Sequence, residues 1–64
     1  MQPSPQDLAQ EASRATEMLK GKVVARIARH RDTEVLVEFT DGTRLFVDRS
    51  DSAVELSITG GASD

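Results

Sequence analysis

The 64-residue chain has no cysteine, tryptophan or tyrosine, and its only aromatic residues are two phenylalanines. Without cysteine there is no disulfide, no thiolate metal site and no cysteine nucleophile. Without Trp and Tyr, the common anchors of interfaces and of base stacking reduce to Phe39 and Phe46. No apolar run approaches the roughly 20 residues of a membrane span, and the N-terminus has no signal-peptide core. A cytoplasmic location and no membrane partner are therefore expected. No glycine-rich phosphate cradle, nucleophile elbow or paired-cysteine ligand set occurs, so neither a cofactor nor an enzymatic activity is expected. A chain this short lies near the lower limit for folding alone. With no covalent or metal staple, oligomerisation is the usual remedy.

The strongest local signal is Val35-Leu36-Val37-Glu38-Phe39-Thr40-Asp41-Gly42-Thr43-Arg44-Leu45-Phe46-Val47, two β-rich runs around an Asp-Gly pair. A two-residue loop would place Val37 opposite Phe46 and Phe39 opposite Arg44, mixing charged and apolar groups on both faces. A three-residue loop, Thr40-Asp41-Gly42, with Gly42 left-handed, sets Val37 opposite Leu45, Val35 opposite Val47 and Glu38 opposite Arg44. The second register keeps the faces distinct and is the one expected.

Upstream, Ser4-Pro5-Gln6-Asp7 reads as a helix start: Ser4 the N-cap, Pro5 the first helical residue, Asp7 at the positive end of the dipole. Leu8, Ala12, Ala15 and Leu19 form a narrow stripe flanked by Met18, and Gly21 stops a helix over about 5–20. Strands follow at about 22–30, 34–39, 43–47 and 54–59, with Arg31-Asp32-Thr33 as the first turn and 48–53 as a polar loop. Residues 1–4 and 60–64 are expected to fray. The whole is one small domain of the α+β class, an N-terminal helix packed on a four-stranded antiparallel β-meander. A strongly curled, barrel-like sheet is the alternative. Odd-numbered strand residues from Val23 to Val47 should lie beneath the helix.

Leu19-Lys20-Gly21-Lys22-Val23-Val24 followed by Phe39-Thr40-Asp41-Gly42-Thr43-Arg44-Leu45 resembles a group of small bacterial helix-plus-sheet proteins of uncharacterised function, over roughly residues 19–59. The resemblance implies a compact sheet domain and no activity.

On the face away from the helix, the registers place Ala28, Leu36 and Phe46 in one row. Arg26, Glu38 and Arg44 make the next, and His30, Glu34 and Asp48 a third. A half-exposed antiparallel sheet ordinarily puts polar groups on its wet side. An apolar strip of Leu36 and Phe46, with Val24 and Ala28 nearby, therefore points to a contact surface. The expected function is a small protein-interaction module, self-associating as a homodimer through this face or through a sheet edge, or contacting another protein. Its candidate interface residues are Val24, Arg26, Ala28, Leu36, Glu38, Arg44 and Phe46.

Three other constellations weigh less. His30, Glu34 and Asp48 have metal-ligand chemistry, but exposed His and acids side by side usually form weak ion pairs. Asp48, Ser50 and Asp51 lack the glycine and distal glutamate of a calcium loop. Residues 20–31 hold Lys20, Lys22, Arg26, Arg29 and Arg31 and no acid, which makes nucleic-acid binding the alternative function. The net charge of -3, the acids Glu34 and Glu38 and the scarcity of aromatics speak against it.

Overall fold

The computed structural model describes residues 5–60. Helix α1 spans Pro5–Leu19, and strands β1 (Val24–Ala28), β2 (Glu34–Phe39), β3 (Thr43–Ser50) and β4 (Ala53–Gly60) follow. The strands form one antiparallel sheet in the order β1-β2-β3-β4, neither closed nor strongly curled. This is the expected α+β meander. The proposed N-cap Ser4 and, of the segments expected to fray, residues 1–4 and 61–64 lie outside the described residues.

The central hairpin follows from its turn chemistry. Gly42 is left-handed (φ 92°), its N–H donates to the Phe39 carbonyl, and the Asp41 carboxylate accepts from the Thr43 N–H at 2.9 Å. An Asx turn of this kind lets the side chain imitate backbone and closes the three-residue loop. The resulting pairs are Val35 with Val47, Leu36 with Phe46, Val37 with Leu45 and Glu38 with Arg44, as the side-chain pattern required.

Three local features differ from expectation. The 48–53 segment is a tight hairpin rather than a loop: Ser50 pairs with Ala53, and Asp51 takes the left-handed conformation (φ 53°) that Asp tolerates better than most residues. β3 and β4 are accordingly longer. Gly60 is the paired last residue of β4, opposite Thr43. It too has positive φ, and a Cβ there would meet the Gly42 carbonyl oxygen at 2.8 Å, so only glycine lets β4 close against the turn.

The third difference matters most. β1 pairs Arg26 with Glu38, Ile27 with Val37 and Ala28 with Leu36, but Val24 lies opposite Phe39. One extra residue, Ala25, is accommodated by a bulge between Val24 and Arg26. Directly opposed residues share a face, so Val24 sits on the same side as Phe39 and not on the outer face assigned to it from strict alternation. β1 also stops at Ala28, which leaves His30 outside the ladder.

α1 ends where Gly21 turns left-handed (φ 80°), with the Lys22 N–H donating to the Leu19 carbonyl. The Val23 carbonyl then accepts from the Thr40 N–H, tying the link into β1 to the central turn. The helix lies toward the β4 side: Glu11, Arg14, Ala15 and Met18 line a shallow groove with Leu56 and Ile58. Leu56 pairs with Val47 and Ile58 with Leu45, so this is the side carrying Val35, Val37 and Phe39. The odd-numbered residues of β2 and of β3 through Val47 do face the helix.

Candidate interaction surface

On the outer face, the rows expected from the registers are present. Ala28, Leu36 and Phe46 stand in line, and so do Arg26, Glu38 and Arg44. Glu38 bridges the two arginines, accepting from the Arg26 Nε on one oxygen at 2.6 Å and from the Arg44 Nε on the other at 3.0 Å. The arginines are largely exposed and Glu38 lies half-buried between them.

The apolar part of this face differs from expectation. Leu36 is 5% exposed within one copy of the chain, and Phe46 and Ala28 are half-buried. Leu36 occupies a central strand, with Ala28 and Phe46 directly beside it and the Glu38 row next along. With Val24 moved to the other face by the bulge, the outer face has no open apolar strip.

The open apolar surface lies on the helix side. Leu8, Met18, Val23, Val24, Ile27 and Val54 are the large apolar side chains left half or more exposed among the described residues. Leu8 and Met18 belong to the helix and Val23 to the link after it. Val24, Ile27 and Val54 stand in register with Phe39, Val37 and Arg49, on the helix-bearing face. On that face Ile27, Val35, Val47 and Val54 run diagonally across all four strands. One alanine-rich helix covers only part of a sheet four strands wide, and it lies over the β4 side. Apolar burial in a single copy is correspondingly slight: Leu36 and Phe39 are the buried apolar residues, and no described side chain is fully buried.

Most of the basic segment is engaged within the chain. The Lys22 ammonium pairs with Asp41, Arg26 with Glu38, and Lys20 with Glu17. Arg29 donates through Nε to the Glu34 carbonyl and through Nη2 to the Asp32 carbonyl, which holds the β1–β2 turn. Of the expected His30, Glu34 and Asp48 row, Glu34 and Asp48 do stand opposite each other, but His30 lies beyond the end of β1; Glu55 is Asp48's other neighbour, and no three metal-ligating side chains come together among the described residues. No described helix is long and apolar enough to cross a membrane.

Two carboxyls are perturbed. Hydrogen bonds from Arg26 and Arg44 hold Glu38 below its ordinary value of 4.5. The Lys22 ammonium, then the Thr43 N–H and hydroxyl, hold Asp41 well below its ordinary value of 3.8. Both groups bind protons less readily in the folded chain than in the unfolded one, so their ionised forms favour folding. That contribution is complete above the ordinary carboxylate values and disappears as pH falls toward the depressed ones. Asp41 is exposed and Glu38 is half-buried between exposed arginines, so salt screens the effect. The expected result is a melting temperature that drops more steeply below about pH 4.5 in the native chain than in Asp41→Asn, because the variant has lost one of the linked protons. Circular dichroism melts of both proteins between pH 3 and 7, set side by side, check it; identical pH profiles would remove Asp41 from this role.

No family model matches the chain, and no curated protein or solved structure is detectably similar to it. What its surface does must therefore follow from the geometry.

Proposed function

We propose that this chain is a small protein-interaction module that associates with a second copy of itself. One observation carries the reading: nearly all the large exposed apolar side chains lie on the helix or on the sheet face beneath it, while Leu36 and Phe39 are the only apolar side chains a single copy buries among the described residues. A 64-residue chain without a disulfide has only a marginal core of its own. Covering a concentrated apolar surface with a second copy removes it from water at no cost in new sequence. The Arg26–Glu38–Arg44 ladder and the buried Leu36 then serve the stability of the sheet, not a contact. No cofactor or catalytic role is part of this reading.

Nucleic-acid binding by residues 20–31 fits less well. Lys20, Lys22 and Arg26 are each paired with an acid of the same chain, Glu17, Asp41 and Glu38.

Sedimentation over a wide concentration range tests self-association. The expected result is a mass that climbs with concentration from the 7.0 kDa of one chain toward twice that value. A constant 7.0 kDa, together with salt-sensitive retention on a polyanion column, would favour the nucleic-acid reading instead.

A further inference from the structure

Resting on that reading, we infer that the dimer is a reciprocal exchange of helix cover: the N-terminal half of α1 from each copy lies on the open diagonal strip of the other, bringing Leu8 of one against Ile27 of its partner.

The helix itself points to this arrangement. Glu11, Ala15 and Leu19 are its half-buried positions, spaced four apart along one line. Leu8 continues that line seven residues before Ala15, where helical geometry returns the side chain to nearly the same direction. Yet Leu8 is 50% exposed, so the inward-facing stripe has a first member with little of its own sheet beneath it. On the sheet, Ile27 at 56% and Val54 at 62% are left exposed. Each copy thus has one overhanging apolar helical end and one apolar strip open at its two ends, Ile27 and Val54, with Val35 and Val47 half-buried between them. A two-fold axis satisfies both at once, because each surface meets the other kind on the partner.

The charges agree with the apolar pattern. α1 carries Asp7, Glu11 and Glu17 against Arg14 alone, and the acids Asp7 and Glu11 flank Leu8. The strip is bordered by Arg49, which stands opposite Val54, and by Arg29 at the β1–β2 turn, whose hydrogen bonds to carbonyls leave its charge uncompensated. An acidic helix end and a cation-bordered strip attract across the axis and repel their own kind, which favours helix-on-strip over strip-on-strip pairing.

Two substitutions in the full chain test the exchange. Leu8 and Ile27 are both half exposed, so Leu8→Glu and Ile27→Lys should each leave the fold intact, as circular dichroism would verify. Each alone should weaken dimerisation at least tenfold. An equimolar mixture should recover a dimer, because the mixed pair has one native Leu8–Ile27 contact and one Glu–Lys contact across the axis. Mixing without recovery overturns the proposed facing of Leu8 and Ile27. Single variants that keep the parental mass, while Phe46→Asp dissociates, would place the interface on the outer face and leave self-association standing. A native chain that stays monomeric at every concentration would sink the self-association reading along with this one.

Discussion

Phe39→Ala is expected to leave the chain largely unfolded at room temperature. Phe39 is 8% exposed and sits at the end of β2, where the helix–β1 link is tied to the central turn by the Thr40–Val23 hydrogen bond. Deleting a buried phenylalanine ring costs about 3–5 kcal/mol, the lost transfer energy plus the cavity left behind. A core of this size rarely supplies more than about 3–5 kcal/mol in total. The two quantities are comparable, so one truncation is enough. Urea titration followed by far-ultraviolet circular dichroism measures it, tryptophan fluorescence being excluded by composition. A midpoint close to the parent's would mean that the Phe39 end of the sheet is not where the fold is held.

Leu36→Ala is the second large effect, and it separates the two faces. Leu36 is buried within one copy, so truncation should cost folding stability, toward the low end of about 2–5 kcal/mol because the half-buried Phe46 and Ala28 can settle into the space. The same truncation at Ile27, measured at a dilution where copies are separate, should cost under about 1 kcal/mol, since little area is lost from a half-exposed side chain. An Ile27 effect as large as the Leu36 effect at high dilution would show that the helix-bearing strip is closed within a single chain.

Strand parity alone misses two features of the outer face: the bulge that takes Val24 off it and the burial of Leu36 within it. Strict alternation put Val24 in line with Arg26 and Ala28, and nothing about Ala25 announces a bulge: it is a small residue in an otherwise regular run. Leu36 and Phe46 were rightly paired across β2 and β3, but the pairing of backbones does not reveal how far neighbouring side chains close over them. The helix stripe from Leu8 to Leu19 was visible at helical spacing, and its alanines were consistent with close approach to a sheet. A helix with so little apolar volume covers less of the sheet than a leucine-rich one. The four valines and one isoleucine at odd-numbered positions from Val23 to Val47 are the available sign that some would be left over.

The charge pattern divides in the same way. The Glu38 partnership with Arg26 and Arg44 followed directly from the registers. Cross-strand opposition brings Cβ atoms to about 4.5–5.5 Å and leaves long side chains little choice. The Lys22–Asp41 pair, by contrast, joins residues 19 apart through the meeting of the helix–β1 link with the central turn, which no local spacing encodes.

The amino-acid order alone determined the helix, the four strands, the three-residue turn, the register of the central hairpin and that of the first hairpin from Arg26 to Ala28. Each depends on chemistry within a few residues: an Asp-Gly turn, a side-chain period of two, a glycine stop. Only the tertiary structure decided that β1 bulges, that Leu36 is covered, and that the helix lands toward β4 and leaves Ile27 and Val54 open. Those outcomes depend on how much volume one helix brings to a sheet four strands wide and on where it comes to rest, which are properties of the packed whole.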